Sequence, residues 1–195
     1  MEVYIIKGMS NSYLTSDGVL IDAGAKADNV IKTTKEHGIG IKYLFITHYH
    51  IDHIRYAWSI AKAFNCRVVA SIPESAIIEG REKPRNAGLL QSLFSSMVRV
   101  KSVNVDIKVN DGEAIEGYRA VYAPGHTPGS TAYLKGDLLF SGDAVVERGG
   151  KPALPPRMFT LDVGGKATES FNKLLSLRPR TIYPGGHGSP ISLGT

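Results

Sequence analysis

The stretch Thr47-His48-Tyr49-His50-Ile51-Asp52-His53 places three of the chain's six histidines and one aspartate within seven residues. The apolar run just before it, Tyr43 to Ile46, reads as a short buried strand. A strand projects alternate side chains to one side, so His48 and His50 leave its end together, and Asp52 continues the two-residue step. Ile54, Ala57, Trp58, Ala61 and Phe64 then fall on one helical stripe, which predicts a helix over His53 to Phe64. His53, at its start, turns a fourth donor into the same space. A single catalytic ion keeps a coordination position open, so four donors from one short run suit two adjacent ions better. His48 and His50 would serve one, Asp52 and His53 the other.

The remaining ligands are expected far along the chain. Ala123-Pro124-Gly125-His126-Thr127-Pro128-Gly129-Ser130 is a turn between two strand-like runs that presents His126. Phe140-Ser141-Gly142-Asp143 is a strand ending in a carboxylate, and Tyr183-Pro184-Gly185-Gly186-His187-Gly188 is a strand, a glycine turn and a histidine. In each case a rigid strand delivers a ligand at its end, which favours a well-defined site. Alone, His126 or His187 would read as an ordinary solvated turn residue, and Asp143 as a cap; the cluster gives them weight. Only His37 stands apart. Imidazole and carboxylate donors without thiolate admit zinc, iron or manganese, with zinc the default.

Outward from the cluster, strand-like runs at Val3 to Ile6, Ser12 to Thr15 and Gly18 to Ile21 precede a predicted helix over Lys26 to Glu36. Val68 to Ser71 is another buried-type strand, and Leu89 to Val98 reads as a short helix. Strands follow at Asn104 to Val109, Ala114 to Ile115, Tyr118 to Tyr122, Ser130 to Leu134 and Asp137 to Ser141. A last helix at Ala167 to Leu177 and a strand at Thr181 to Tyr183 complete the pattern. Two packed sheets with helices outside cover that many apolar faces most simply. At 195 residues the expectation is one domain, 1–195. Val145 to Gly165, with Arg148, Lys151 and Arg157, reads as a long loop and a candidate substrate wall; Phe94 and Met97 sit in the segment expected to form the other.

The net charge of +5 allows a nucleic-acid partner, but the lysines and arginines are scattered and form no run, which argues against one. The charge reads as solubility with a mild pull on anionic substrates, and a small-molecule substrate is the expectation. The lone Cys66 makes neither an internal disulfide nor a multi-thiolate zinc knuckle. No stretch reaches the ~18 apolar residues of a membrane helix, and the start shows no signal-peptide pattern, so the cytosol is the expected location.

The run Thr47 to His53, then Gly125 to Ser130, Ser141-Gly142-Asp143 and Pro184 to Gly188, in that order, resembles the metallo-β-lactamase superfamily. The likeness begins at Leu20-Ile21-Asp22-Ala23-Gly24 and spans nearly the whole chain. It implies an α+β fold, a four-layer αββα sandwich of two mixed sheets with a dinuclear metal site at one edge. By that resemblance His48, His50 and His126 hold one ion, Asp52, His53 and His187 the other, Asp143 bridges them, and Asp22 orients the site from behind.

The activity implied is hydrolysis by a hydroxide bridging two divalent ions, with Asp52 accepting its hydrogen bond or carrying its proton. Within the superfamily, β-lactamases lack the bridging aspartate, and flavo-diiron proteins resemble His-x-Glu-x-Asp-His, where this chain has His50. Glyoxalase II-like thioesterases and lactonases share the full set. Glyoxalase II, however, follows its first motif with glycines, where this chain has Ile54-Arg55-Tyr56, and carries a further helical domain, whereas this chain ends at Thr195. The expectation is therefore hydrolysis of a carboxylic ester, thioester or lactone. The alternatives are a phosphodiesterase acting on RNA or another phosphodiester, and a non-catalytic metal-binding scaffold.

Overall fold

The computed structural model describes residues 1–84, 100–157, 160–161 and 165–194. The helix expected over Leu89 to Val98, and the residues Phe94, Met97, Met158 and Phe159, lie outside them.

The first sheet is built from β1 (Val3–Ile6), β2 (Ser12–Thr15), β3 (Val19–Ile21), β4 (Tyr43–Phe45), β5 (Arg67–Ser71) and β6 (Ile107–Val109), in that spatial order. β1, β2 and β3 run as an antiparallel meander, and β3 to β6 are parallel. The parallel crossovers carry α1 (Ala27–His37), α2 (Ile51–Ile54), α3 (Ala57–Phe64) and α4 (Ile72–Ile78). In the second sheet β7 (Ala114–Ile115), β8 (Tyr118–Tyr122), β9 (Thr131–Lys135) and β10 (Leu138–Gly142) are antiparallel neighbours. A hairpin of β11 (Val146–Arg148) and β12 (Lys151–Ala153) and the helix α5 (Lys166–Ser176) lead to β13 (Thr181–Pro184), parallel to β10, and β14 (Ile191–Ser192) closes that edge.

The two-residue period of the strands sorts their side chains into layers. Val19, Ile21, Phe45 and Val69 of the first sheet pack with Tyr118, Ala120, Tyr133, Leu138 and Phe140 of the second. The intervening Leu20, Leu44 and Val68 face the other way, with Val30 of α1 and Ala57 and Ile60 of α3. On the outer face of the second sheet Val121, Ala132, Leu139 and Ile182 meet Leu174 of α5. The result is the expected αββα sandwich.

Two expectations need correcting. The single helix over His53 to Phe64 is two helices, because the Tyr56 N–H bonds to the Ala23 carbonyl at 3.0 Å and leaves the helical ladder. The long loop after Asp143 contains the β11–β12 hairpin, which gives its backbone partners the sequence pattern did not reveal. Among the described residues no helix is long and apolar enough to cross a membrane.

Register places the site. Ile21, Phe45 and Val69 stand side by side in the parallel part of the first sheet, so β3, β4 and β5 finish at one edge. Gly142 aligns with Pro184 across β10 and β13. Asp22, Thr47 to His53, Asp143 and the Gly185 turn therefore all leave strands at ends of parallel ladders. The β8–β9 turn joins them, since the Thr131 N–H bonds to the Thr47 carbonyl at 3.0 Å.

Candidate metal centre

At this edge the ring nitrogens of three histidines converge. His50 Nδ1 lies 2.8 Å from His126 Nε2, which lies 3.2 Å from His48 Nε2. The three residues are buried. A second grouping of His48, His53 and Asp143 adjoins them, and in each grouping the donor atoms lie within 4.8 Å of one another. Asp143 faces both, with Oδ1 3.2 Å from His53 Nε2 and Oδ2 3.4 Å from His126 Nε2. Asp52 stands half-buried at the rim, its Oδ2 3.5 Å from His53 Nε2. The ring of His187 is exposed and outside both groupings, although its turn abuts the site. A Cβ on Gly185 would lie 2.1 Å from Asp143 Oδ1 and 2.9 Å from His53 Cε1.

Hydrogen bonds behind the cluster fix which nitrogens are available. Asp22 Oδ1 accepts the Thr47 N–H at 2.9 Å, and Asp22 Oδ2 accepts the Thr47 hydroxyl at 2.9 Å and His53 Nδ1–H at 2.7 Å. With the Thr47 hydrogen committed to Asp22, its oxygen is left to accept from His48 Nδ1, 3.0 Å away. Both His48 and His53 then turn an unprotonated Nε2 towards the cluster when neutral. Asp22 holds φ at 61°, in the left-handed region that aspartate tolerates.

The electrostatics separate the two groupings. Burial, reinforced by the neighbouring imidazoles, holds His48 and His50 well below the usual histidine range. Burial takes His126 down to about 4 against the pull of Asp143. All three are neutral near pH 7, the form that ligates metal. Burial also pulls on His53, but Asp143, Asp22 and Asp52 around it outweigh this and raise it well above the usual value. Desolvation opposes the ionisation of the partly buried Asp143, yet His53, His126 and His50 hold it well below the usual carboxylate range. Burial raises Asp52, with His53 opposing and Asp143 adding.

A cation fits this donor set. Of the four buried side-chain nitrogen and oxygen atoms that lack a hydrogen-bond partner among the described residues, His53 Nε2 and Asp143 Oδ1 face each other in the second grouping. The others are His126 Nδ1, the ring's second nitrogen, and Asn11 Oδ1 beside the His187 turn. Buried polar atoms that make no well-formed hydrogen bond are costly unless something ligates them.

A model of the metallo-beta-lactamase superfamily matches residues 5–187. The chain belongs to that superfamily. It is 25% identical over 191 residues to hydroxyacylglutathione hydrolase GloC of Haemophilus influenzae, covering 91% of this chain and 83% of that protein. It is 28% identical over 203 residues to the probable metallo-hydrolase YflN of Bacillus subtilis, covering 89% of this chain and 76% of that one. Among solved structures it resembles TTHA1623 in a di-iron-bound form, with TM-score 0.78, 22% identity, and coverage of 99% of this chain and 95% of that one. It likewise resembles the B3 metallo-beta-lactamase BLEG-1, with TM-score 0.78, 22% identity, and coverage of 98% and 93%. At that identity the two structures establish the shared fold. As a member of the superfamily with hydrolases as relatives, the chain is a metal-dependent hydrolase whose His/Asp cluster suits divalent ions.

One residue at this edge escaped the sequence reading. Glu74, in α4, is fully buried, and its carboxylate accepts the Tyr49 N–H at 2.8 Å, the Thr127 hydroxyl at 2.8 Å and the Gly129 N–H at 2.7 Å. Its helix was not expected either, although Ser71 and Pro73 are helix-start signals. A lone acid in Ile72-Pro73-Glu74-Ser75-Ala76-Ile77-Ile78 reads equally as a first-turn acid that favours the helix dipole.

Proposed function

We propose that this chain hydrolyses a carboxylic ester, thioester or lactone of a small molecule at two divalent ions, zinc in the first instance. The observation that carries the reading is Asp143, whose two oxygens face His53 and His126 from between the two groupings. His48, His50 and His126 would hold one ion; His53 would hold the second, with Asp52 and His187 completing it and Asp143 shared. When bound, the ions supply Lewis acidity towards the scissile carbonyl and bring a water's pKa towards ~7.

The chain's own residues do the rest. Asp22 and Thr47 lock the rings of His53 and His48, so the ligand atoms need no reorganisation during the reaction. Asp52, half-buried beside His53, is placed to accept the proton of the attacking water and pass it to the leaving group. A thioester is favoured among carboxyl substrates because the relative GloC is named for hydroxyacylglutathione, which is one.

The test is metal analysis of the reconstituted chain together with a panel of thioesters, lactones and phosphodiesters. Two ions per chain and turnover of a carboxyl substrate, reduced at least ~100-fold in Asp143→Ala, support the reading. Phosphodiester cleavage alone would replace it with the nuclease-type alternative. Full occupancy without turnover would leave a metal-binding scaffold.

A further inference from the structure

Two segments of the site meet at Glu74. Tyr49 lies between His48 and His50 on the segment leaving β4, while Thr127 and Gly129 follow His126 in the turn between β8 and β9. The first segment belongs to one sheet and the second to the other. Glu74 Oε2 takes the single donor of the first, and Oε1 takes both donors of the second. The contact is close enough to dictate its neighbour, since a Cβ on Gly129 would lie 2.7 Å from Glu74 Oε1 and 2.7 Å from Pro73 Cβ. Ser71, just before α4, adds a hydroxyl bond to the Gly129 carbonyl at 2.8 Å.

We propose that Glu74 is a positioning residue for the three-histidine site, setting the distance between the His48–His50 segment and the His126 turn by holding both on one carboxylate. The proposal deepens the two-ion reading above and rests on it. Its physical basis is the shape of the acceptor. Two of the donors, the Tyr49 and Gly129 N–H groups, are fixed backbone groups arriving from two sides, and only a group with two acceptor oxygens satisfies both; the Thr127 hydroxyl also lies 2.7 Å from Ser130 Oγ. A glutamine offers one oxygen, so its amide N–H would face either the Tyr49 N–H or the donors of Thr127 and Gly129. An aspartate is shorter by one carbon–carbon bond, about 1.5 Å, and cannot span both. Thr131, whose N–H holds the Thr47 carbonyl, joins the same two segments from the strand side, so loss of Glu74 loosens the turn that carries His126 without separating the sheets. His53 and Asp143 receive no hydrogen bond from Glu74, and the His48 ring is held separately by Thr47, so the second ion should feel the loss of Glu74 far less than the first.

The experiment is a two-site titration of the full chain with cobalt(II) against a competing chelator. The two sites are assigned with His126→Ala and His53→Ala, and the metal-free proteins are compared by thermal unfolding. In Glu74→Gln the ion at His48, His50 and His126 should bind 10–100-fold more weakly, the range seen when groups behind metal ligands are removed, while the second ion shifts less than about threefold. Thr127→Val removes one of the three bonds and should weaken the first ion by about 3–10-fold, with Glu74→Gln/Thr127→Val no weaker than Glu74→Gln alone. Unchanged affinity in Glu74→Gln, or equal losses at both sites, overturns the proposal. If Glu74→Gln does not fold, Thr127→Val decides alone, and unchanged first-site affinity there overturns it as well. A wild-type chain that takes up no ion overturns the two-ion reading along with it; two ions in the wild type with an indifferent Glu74→Gln overturns only this inference.

Discussion

Asp22 Oδ2 and His53 Nδ1 lie 2.7 Å apart, both buried, at the point where β3 and the segment after β4 leave the same edge of one sheet. The carboxylate gathers three hydrogens in all, two from Thr47 and one from His53. Asp22→Ala leaves three donors without an acceptor, and each buried donor so stranded costs about 1–3 kcal/mol. It should unfold at a markedly lower temperature. Asp22→Asn keeps the shape and tolerates the positive φ, but it turns an amide N–H towards one of the donors. Its expected signature is near-normal stability with metal retention against chelator reduced 10–100-fold. Wild-type retention in Asp22→Asn would mean that the contact does not orient His53.

Two glycines at the ends of β10 and β13 make a second test. An alanine methyl at Gly185 meets Asp143 Oδ1 at 2.1 Å and the Gly142 carbonyl carbon at 2.7 Å. At Gly142, with φ +50°, it meets Thr47 Cβ at 2.8 Å. Gly185→Ala should therefore displace Asp143 and lower turnover by at least about 100-fold, an electrostatic loss of the size seen when one aligned group is removed. Gly136→Ala is the control: φ is also positive, +57°, but nothing lies within 4 Å. It should cost only about 1–2 kcal/mol of stability and leave kcat unchanged. Equal loss of turnover in the two variants would show that crowding of Asp143 is not responsible.

Much of this edge was legible in the sequence because strand periodicity carries direction as well as structure. Tyr43 to Ile46 announced a buried strand, so its exit with alternating His48 and His50 had to deliver two rings together, as it does. His126 and Asp143 come to the same edge because they too follow strands. What failed to show was tertiary. The break between α2 and α3 depends on Ala23, more than thirty residues earlier in the sequence, accepting from Tyr56. Glu74 has no local pattern, since its three partners come from two other segments. The hairpin after Asp143 forms through Glu147↔Pro152 and its neighbours, in a stretch whose charges and prolines read as loop.

Cys66 gives a prediction from burial alone. Burial pushes its thiol up to about 11, above an ordinary thiol, so the folded chain keeps its proton where an unfolded one ionises. Because the raised value favours the protonated folded form, this contribution to stability is intact below pH ~9 and declines as pH rises from ~9 towards 11. At pH 8 the native thiol should alkylate with iodoacetamide at least tenfold more slowly than in denaturant, with the rate climbing as pH approaches 11. Equal rates in the native and denatured chain at pH 8 would contradict a buried, protonated Cys66.

The turn that bears His187 is held from β2 and the residue before it. The Asn11 N–H bonds to the Gly186 carbonyl at 2.7 Å, Asn11 Nδ2 donates to the Gly188 carbonyl at 2.8 Å, and the Tyr13 hydroxyl donates to the Pro184 carbonyl at 2.5 Å. The exposed ring of His187 contributes little to folding, so His187→Ala should leave the metal-free chain within about 0.5 kcal/mol of the parent. If His187 completes the second ion's ligands, the same variant should retain that ion at least tenfold less well. Asn11→Ala separates position from ligation. It strips the side-chain bonds to Gly188 and to the Tyr13 hydroxyl while the backbone bond to Gly186 stays, so stability should fall by about 1–3 kcal/mol and the second ion should weaken less than in His187→Ala. The double variant should hold metal no worse than His187→Ala, since Asn11 acts on the ion only through that ring. Further loss in the double variant would mean that Asn11, whose Oδ1 is buried without a hydrogen-bond partner among the described residues, reaches the ion by a route of its own.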